Sequence, residues 1–408
     1  MFGRLRRLAG RLFDRLPRSM QVRILPRAFG FERRDVPPPI AAPPGSRRLY
    51  IAPVNFAGAA AGWARAAERI PGVGARNMVF RESGGFAYPA DYEVPVAVYA
   101  ASPHWQRAQF RAVASGFTHV VIEAERPLFG SRFAGDVADV WATVREEVRV
   151  LRAAGVRTAM VCHGSDIRLP SRHAAREADS PFAARGGEAP AYQDTPLLEE
   201  HATANRTLLT EVGGPVFVST PDLLVDVPEG TWLPVVIGAP WFEAGRRAPL
   251  ERDVPVVVHV PSRSGLKGSE LIEPTMRRLH DEGLVVYERR EGVPASEMPE
   301  IYGTADIVLD QFSLGIYGVA ACEALAAGRL VVSHVSDQVR NHVRSATGRD
   351  LPIVETRADG LETMIRAILQ DRDRHREIAA EGPEFVREVH DGRVTAAVLE
   401  REFLGGGR

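Results

Sequence analysis

Strand-like apolar runs alternate with helical patterns along most of this 408-residue chain. The strand-like runs of the first half lie at residues 49–53, 94–100, 118–125, 157–163 and 214–220, and those of the second half lie at 256–260, 284–290, 306–311 and 330–335. A chain that alternates in this way folds into mostly parallel sheets that helices cover on both faces. The sequence therefore predicts an α/β protein.

The length of the chain exceeds what one ordinary core accommodates, so the pattern predicts two domains. Turn formers and charges at residues 238–253 mark the expected boundary. We predict a basic tail and Pro-rich linker at 1–46, a first Rossmann-like domain at 47–240, a second at 253–385, and a C-terminal helix and tail at 386–408. The last helical segment, which we expect to break at Gly382-Pro383, is predicted to pack back across the first domain. Residues 169–198 lack a firm periodicity and are predicted to form a mobile surface excursion near the site.

The N-terminal segment combines regularly spaced apolar residues with arginines. The apolar positions are Phe2, Leu5, Leu8, Leu12 and Leu16, and the arginines are Arg4, Arg7, Arg11, Arg15 and Arg18. A basic amphipathic helix of this kind lies on an anionic membrane surface, or it packs against the body of the protein or a partner. Both alternatives stay open for residues 1–27, and the Pro-rich residues 36–45 that follow predict an extended linker.

The composition excludes several classes of protein. A net charge of −1 argues against a nucleic-acid partner. The two cysteines, Cys162 and Cys322, lie in apolar runs, so they predict packing residues in a reducing compartment and not a disulfide scaffold. No stretch reaches the roughly 20 apolar residues of a spanning helix, and no signal peptide is recognisable. We therefore expect a cytoplasmic protein, at most peripheral on the inner membrane face.

Lys267 is the only lysine among the 51 basic Lys and Arg residues of the chain. It lies in the motif PSRSGLKG, which follows a predicted strand and precedes a predicted helix. Glycines in such a turn bring backbone N–H groups close to an anion, while Arg263 and Lys267 supply positive charge. The motif thus predicts a phosphate-binding loop, although it differs from the P-loop and from the dinucleotide fingerprint.

A second motif, GIYGVAACEALAAG, follows Asp310 at a predicted strand end. Its glycines allow a tight turn into a helix whose N-terminus attracts a diphosphate. Glu323 lies one turn into that helix, four residues after Val319, in an apolar environment where an unpaired charge is costly. A carboxylate at this position is able to accept two hydrogen bonds from a vicinal diol such as a ribose.

Polar residues follow the predicted strands of the first domain, where ligands of parallel sheets bind. They are Asn55, Glu123, His163, Asp166 and Arg168. We predict Asn55, Glu123, Asp166 and Arg168 as acceptor-side candidates, and the alternative for Glu123 and Asp166 is a helix-cap or salt-bridge role. No HExxH, CxxC or Ser-His-Asp motif is recognisable, so the sequence predicts no metal site.

The motifs HVPSRSGLKG and EMPEIYGTADIVLDQFSLGIYGVAACEALAAGRLVV together resemble the C-terminal domain of GT-B-type retaining glycosyltransferases, the "group 1" glycosyltransferase family. The resemblance is strongest over residues 254–369 and weak in the first domain, where HGSDIR and STPDLL carry it. It implies two Rossmann-like domains facing across a cleft. It also implies transfer of a sugar from a nucleotide-diphosphate donor to an acceptor hydroxyl with retention of the anomeric configuration, without a metal or other cofactor.

The resemblance also implies roles for single residues. Arg263 and Lys267 would bind the donor diphosphate and stabilise its developing charge, and His163 would face the donor sugar across the cleft. Glu323 would bind the ribose, while Gly318 and Val319 would bind the distal phosphate through backbone N–H groups. The acceptor would be a glycan, a lipid-linked molecule or a small molecule.

One position departs from the family pattern. The family has a glutamate eight residues before the one that Glu323 matches, and this chain has Gly315 there. We expect Asp310 or Gln311, at the preceding strand end, to take over the contact to the sugar. Two alternatives to a transferase remain: a non-catalytic nucleotide- or glycan-binding subunit of a glycan assembly system, and a nucleotide-sugar epimerase.

Overall fold

The structure is a computed structural model that describes residues 16–81, 88–131, 139–184, 190–192, 194–245, 247–261 and 264–405. The first fifteen residues of the basic segment and Arg263 lie outside these ranges, so the predictions for them stay untested. The described part of the basic segment contains helix α1 (Arg18–Ile24), followed by a 3-10 helix at Pro26–Phe29. Nowhere in the ranges above is a helix both long and apolar enough to cross a membrane.

The first domain is built on a parallel sheet of seven strands in the order β3-β2-β1-β4-β5-β6-β7. Its strands are β1 (Arg47–Ala52), β2 (Val73–Arg81), β3 (Tyr92–Pro95), β4 (His119–Glu123), β5 (Arg157–Cys162), β6 (Val216–Val218) and β7 (Thr231–Trp232). Every residue of β4 is buried, as expected for a parallel strand that helices cover on both faces.

Helices of the first domain connect these strands and cover the sheet. They are α2 (Ala59–Ala67), α3 (Val96–Ala101), α4 (Pro103–Gly116), α5 (Val140–Ala153), α6 (Pro170–Arg176) and α7 (Thr195–Val212), and α8 (Ala239–Ala244) leads into the second domain. Helix α5 illustrates why the sequence folds this way: Asp139 caps its N-terminus by accepting from the Ala142 N–H, and Val144, Val148 and Leu151 form its buried stripe.

The second domain contains a parallel sheet of five strands in the order β12-β11-β10-β8-β9. The strands are β8 (Val256–His259), β9 (Val286–Arg289), β10 (Ile307–Leu309), β11 (Leu330–Ser333) and β12 (Val354–Glu355). Its helices are α9 (Ser264–Lys267), α10 (Ser269–Asp281), α11 (Met298–Thr304), α12 (Val319–Ala326), α13 (Asp337–Thr347) and α14 (Leu361–Gln370). The predicted fold class, two Rossmann-like domains facing across a cleft, is confirmed.

The chain then crosses back to the first domain, as predicted. Helix α15 (Arg372–Val389) leads to α16 (Arg393–Leu399) and a π-helical turn at Glu400–Leu404. Thr395 donates to the carbonyl of Pro234, and the carbonyl of Leu404 accepts a hydrogen bond from Arg47 of β1. The two domains are therefore tied together at a second place besides the boundary segment.

The predicted break at Gly382-Pro383 is wrong, because α15 runs through both residues without interruption. Gly382 lies against the backbone of α12, where an added Cβ would be 2.8 Å from the carbonyl oxygen of Leu325. The glycine thus allows two helices to pack closely and does not end one. Packing of α15 on α12 outweighs the cost of an interior proline and of the N–H that it lacks.

The predicted mobile excursion at 169–198 is also wrong for the residues described there. Leu169 and Phe182 are buried, and α6 lies between them. His173 of α6 contacts the carbonyl of Leu314 in the second domain at 3.2 Å. Helix α6 and Glu177 directly after it therefore connect the two domains, which local periodicity does not reveal.

Each sheet has one point where the chain reverses the direction in which strands are added. In the first sheet this switch point lies between β1 and β4, and in the second it lies between β8 and β10. Ligands of open α/β sheets bind beyond the carboxyl ends of the strands at such points. The loops after β1, β4, β5, β8 and β10 face a common cleft.

Candidate functional site

A cavity of about 1150 Å³ lies between the two switch points. We call the side formed by the second domain the C-terminal wall, and the side formed by the first domain the N-terminal wall. The sequence-predicted residues that line the cavity are His163, Asp166, Lys267, Asp310, Gln311, Gly318, Val319 and Glu323. Asn55, Glu123 and Arg168 do not line it.

Lys267 and Asp310 form an ion pair on the C-terminal wall, with Nζ 2.5 Å from Oδ1. Lys267 ends the short helix α9 after β8, and Asp310 directly follows β10, so the pair spans the switch point. Phe312 donates its N–H to the carbonyl of Lys267 at 2.8 Å, which joins the two loops. Asp310 is only 4% exposed, and its ion pair holds Lys267, the only lysine of the chain, at the cleft.

Glu323 is a buried carboxyl group close to this ion pair. It is 7% exposed, and its pKa rises to about 8 because burial disfavours the charged form and Asp310 adds to this effect, although Lys267 opposes it. At neutral pH most molecules therefore carry a protonated Glu323. A ligand that supplies hydrogen-bond donors to the ionised form would bind with release of a proton.

The N-terminus of helix α12 is part of the same C-terminal wall. Gly318 precedes it, and Val319 is its first residue, so the free backbone N–H groups of its first turn lie at the cavity. The positive end of the helix dipole adds to the charge of Lys267. The wall thus combines a cation, a helix N-terminus and a protonatable carboxyl group.

Gln311 orders the loop that leads from β10 to α12. Its amide group donates to the carbonyls of Ile316 and His334, and its Oε1 accepts from the N–H of Leu314 at 2.8 Å. Both ends of this amide are thus engaged with backbone, although the residue lines the cavity.

Gly315, where the family pattern has a glutamate, has a left-handed conformation with φ of 67°. An added Cβ would lie 2.8 Å from Oε1 of Glu177 and 3.4 Å from Nε2 of His334. The carboxylate of Glu177 comes from the first domain, just after α6, and occupies the space that a side chain at 315 would enter. The departure from the pattern thus accompanies a contact between the two domains.

This contact is an ionic cluster in which His334 and Glu177 are buried and two further charged residues are partly exposed. His334 lies between two carboxylates, with Nε2 2.9 Å from Glu177 and Nδ1 2.7 Å from Glu355, and Arg357 lies 3.3 Å from Glu177. Burial alone would lower the pKa of His334, but the hydrogen bonds to Glu177 and Glu355 raise it to about 9. His334 is therefore charged at neutral pH, and its ion pair with Glu177 joins the two domains beside Gly315.

His163 and Glu123 form a pair at the carboxyl ends of β5 and β4 in the N-terminal wall. His163 Nε2 lies 3.2 Å from Oε1 of Glu123, off the ideal hydrogen-bond direction, and neither atom has another partner among the described residues. The second carboxylate oxygen accepts from the N–H of Val54 at 3.1 Å. Burial raises the pKa of Glu123, although His163 opposes this. The imidazole ring also packs against Trp63 and Phe56.

The other first-domain candidates support the loops around the cleft. Asn55 accepts from the N–H of Ala61 and donates to the carbonyl of Pro89, and Asp166 accepts from the N–H groups of His163 and Gly164. Arg168, 4% exposed, forms a buried ion pair with Asp222 at 2.7 Å. The structure therefore brings only Asp166 of these to the cavity, and it gives all of them internal partners.

Glu125, Cys162 and Asp166 place one ligand atom each within 4.8 Å of the others, close enough to share a metal ion. Burial and the nearby carboxylates hold the pKa of the Cys162 thiol well above its usual range, so the thiol keeps its proton. The Asp166 oxygens are occupied by backbone N–H groups. A protonated thiol is a poor metal ligand, and this cluster does not fit a metal centre.

Several residues that line the cavity escaped the sequence analysis. Most are aromatic or follow strand ends one or two residues beyond the positions considered: Phe56, Phe80, Tyr88, Tyr99, Arg126, Trp141 and His201. Tyr88 lines the cavity together with Glu323 of the C-terminal wall. Burial and, to a smaller extent, the nearby Glu323 raise the pKa of Tyr88 to about 12. Arg126 follows β4 closely, so inspection of strand ends beyond Glu123 would have found it.

Comparison with solved structures identifies the architecture. HepE from Anabaena, solved in complex with UDP and glucose, has a TM-score of 0.52 and 12% identity over 86% of this chain and 98% of its own. A glycosyltransferase from Rickettsia africae has a TM-score of 0.51 and 11% identity over 88% and 98%, respectively. Sucrose-phosphate synthase from Thermosynechococcus elongatus has a TM-score of 0.50 and 13% identity over 86% and 97%.

The fold is the GT-B fold. No protein-family model and no curated protein sequence matches the chain. At these identities the likeness to solved structures establishes the architecture, and the chemistry has to be argued from the site itself.

Proposed function

We propose that this chain is a glycosyltransferase that moves a sugar from a nucleotide-diphosphate donor to an acceptor hydroxyl. The observation that carries the proposal is the convergence of Lys267, Glu323 and the N-terminus of α12 on one wall of an interdomain cavity. A cation and a helix N-terminus suit a diphosphate, and a carboxyl group suits the ribose diol. The complex of the structurally similar HepE with UDP and glucose supports a donor of this class.

The chemistry follows from where charge develops. As the bond between the anomeric carbon and the leaving oxygen breaks, the diphosphate gains negative charge. Lys267 and the backbone N–H groups at Gly318 and Val319 would stabilise that charge more in the transition state than in the bound donor. We propose that Arg263, which lies outside the described residues, adds to this stabilisation, and that no metal ion is required.

On the opposite wall His163 would contact the donor sugar, because its ring lines the cavity and is held by Glu123, Trp63 and Phe56. We propose retention of the anomeric configuration by attack on the same face, in which the leaving phosphate takes the acceptor proton. The space beside Gly315 is filled by Glu177, so we propose that Asp310 supplies the sugar contact in place of the family's glutamate.

A thermal-shift screen with UDP, GDP, ADP and their sugar conjugates tests donor binding. A ligand at about one hundred times its Kd stabilises the folded state by roughly 2.7 kcal/mol, so the preferred nucleotide should raise the Tm clearly. Glu323→Gln should abolish this response. Glu362→Gln on the surface helix α14 serves as the matched control and should keep it. The absence of any shift with all three nucleotides would contradict a donor site.

Turnover of the preferred donor separates the remaining alternatives. Transfer to an added acceptor, or slow release of the sugar to water, is expected of a transferase. Isomerisation of the donor without an acceptor would indicate an epimerase, and binding without any turnover would indicate a non-catalytic subunit.

A further inference from the structure

Arg126 differs from Lys267, the lysine that lines the other wall of the cavity. It follows β4 in the N-terminal wall and is exposed. Within the parts of the chain that the structure describes, its guanidinium group has no carboxylate within ion-pair distance and no hydrogen-bond acceptor. Lys267, the corresponding cation of the C-terminal wall, has Asp310 as its partner. Other arginines of the first domain are paired as well, such as Arg81 with Glu93 and Arg168 with Asp222.

Two aromatic rings hold the Arg126 side chain in place. Its guanidinium carbon lies 5.5 Å from the ring centroid of Phe56 and 5.9 Å from that of Phe80. Contact with aromatic faces leaves the N–H groups at the edge of the guanidinium plane free to donate. Phe56 is 42% exposed and also meets the His163 ring edge-on at 5.1 Å. Arg126 is thus one aromatic ring away from the residue proposed to contact the donor sugar.

The backbone before Arg126 is strained in a way that suits a binding loop. Ala124 and Glu125 have φ values of 54° and 52°, in the left-handed region that non-glycine residues rarely adopt. Residues of this kind cluster at functional sites, where the surrounding structure maintains the strained conformation. The turn directs Glu125 inward, to Cys162 and Asn205, and leaves the next residue, Arg126, at the cavity.

The buried acids beside Arg126 do not account for it. Glu123 is engaged by Val54 and His163, and Glu125 by Cys162 and Asn205. Arg126 lowers the pKa of both only as a smaller contribution, and burial dominates in each case. A cation that serves only as a counter-charge for buried acids does not require contacts with two aromatic rings at the lining of a cavity.

On these observations, and building on the proposed function, we propose that the N-terminal wall binds an acceptor that carries a carboxylate or phosphate group, through Arg126. A guanidinium group binds both anions through paired N–H donors. Phe56 and Phe80 add apolar surface against which the body of the acceptor packs. The acceptor substrate is therefore an anionic molecule, and not a neutral one.

The experiment titrates the full-length protein with matched neutral and anionic probes, with and without a saturating concentration of the nucleotide diphosphate preferred in the thermal-shift screen. Methyl glucuronide is compared with methyl glucoside, and glucose 6-phosphate with glucose, by saturation-transfer NMR. At least one anionic probe should bind about tenfold or more tightly than its neutral counterpart, and added salt should reduce the difference. The pair that shows the larger preference identifies the carboxylate or the phosphate.

Arg126→Gln should remove this preference, while Arg126→Lys should keep part of it, since the charge remains but the fork is lost. Arg145→Gln is the matched control, because Arg145 pairs with Glu211 on the surface and does not line the cavity. Equal binding of neutral and anionic probes, no binding of either anionic probe, or a preference that survives in Arg126→Gln would overturn the proposal.

Nucleotide binding is the second readout for the same variants. Arg126→Gln should bind the nucleotide as the wild type does. A loss of nucleotide affinity would instead assign Arg126 to the donor diphosphate and would also overturn the proposal. If no nucleotide binds the wild type, the proposed function fails, but the titrations without nucleotide still decide whether the anion site exists.

Discussion

The two walls of the cleft are built in different ways. On the C-terminal wall, Lys267 and Asp310 follow β8 and β10, the two strands at the switch point, and Glu323 lies in α12, the helix that comes after β10. On the N-terminal wall, Phe56, Arg126 and His163 follow β1, β4 and β5, and α5 and α7 contribute further residues. The residues of the C-terminal wall therefore come from two sequence motifs of one domain, whereas those of the N-terminal wall are spread over five elements.

The difference also extends to charge. The C-terminal wall presents a cation, Lys267, already paired with a buried carboxylate, whereas the cation of the N-terminal wall, Arg126, is held by aromatic rings. A paired cation exchanges one anion for another when a ligand binds. An unpaired cation gains its first partner. We therefore expect substitutions on the two walls to separate donor binding from acceptor binding.

The largest effect is expected for Lys267→Met. Removing a donor that is aimed at developing negative charge lowers turnover by roughly 10²- to 10³-fold. The discrimination of anionic from neutral acceptor probes should remain, because it depends on the other wall. Steady-state kinetics with the preferred donor measures the first effect, and probe titration measures the second. Loss of both together would show that the two walls do not act separately.

The ion pair complicates this variant, since Lys267→Met leaves Asp310 buried without its partner. Breaking a buried pair typically costs about 3–5 kcal/mol, and the partial exposure of Lys267 places the expected loss of stability at or below the lower end. Lys267→Met combined with Asp310→Asn removes both charges. This double variant should recover most of the stability in denaturant unfolding without recovering turnover.

A smaller effect is expected for Glu123→Gln on the N-terminal wall. Glu123 does not line the cavity, so it would act by orienting His163, and a misplaced catalytic group costs up to about 10²-fold in rate. We expect kcat to fall about 10- to 100-fold with little change in the KM for the donor. The pH–rate profile should also move, because burial raises the pKa of Glu123 and the variant replaces this carboxyl group with a neutral amide.

Glu123→Asp is the informative companion, since it keeps the charge but shortens the reach to His163. Partial recovery of kcat in Glu123→Asp would support a positioning role. If Glu123→Gln instead lowers only the Tm, with kcat and the pH profile unchanged, then Glu123 serves the fold and the N-terminal wall has no positioning residue at this place.

How far the sequence predicted the fold depends on how local each feature is. Strand–helix alternation predicted both parallel sheets, because apolar runs and their spacing are local. The strand-like run at 94–100 was wrong in part, because helix α3 begins at Val96. The same reasoning failed at Gly382-Pro383, where contact with α12 decides the outcome. It also failed at 169–198, where His173 and Glu177 contact the second domain through partners about 140 or more residues away.

The candidate site divides along the same line. The sequence predicted Lys267, Gly318 and Glu323 because each lies in a short motif of neighbouring residues, and because Lys267 is the only lysine of the chain. Arg126 was missed because only the first residues after β4 were considered, and its contact with Phe56 depends on tertiary structure, which a sequence does not show. Gly315 was noticed as a departure, but the reason for it, the carboxylate of Glu177 beside its backbone, depends on the packing of two domains.

The last expected effect concerns stability and not turnover: Glu323→Gln should change how stability depends on pH. The pKa of Glu323 in the folded protein is about 8, above the ordinary value of 4.5. Below pH 4.5 the carboxyl is protonated in the folded and the unfolded chain, so the variant should match the wild type. As pH rises toward 8, the unfolded chain releases this proton while the folded chain retains it, and the wild type loses stability relative to the variant.

Each pKa unit corresponds to about 1.4 kcal/mol, and the rise from 4.5 to about 8 spans roughly 3.5 units. Denaturant unfolding should therefore show the variant to be more stable than the wild type by up to ~4 kcal/mol at pH 8, and about equally stable at pH 4.5. Glu362→Gln is the control of opposite sign, because hydrogen bonds from Arg366 and Arg278 lower the pKa of Glu362 and its loss should not stabilise the fold at any pH. A Glu323→Gln variant that gains stability but no longer binds nucleotide would show that the C-terminal wall keeps a buried carboxyl for its ligand, at the expense of the fold. Equal stability of wild type and variant at pH 8 would mean that Glu323 is solvated or paired in the free protein. The C-terminal wall would then not hold a buried, unpaired carboxyl group for its ligand, and the contrast between the two walls would lose its main physical support.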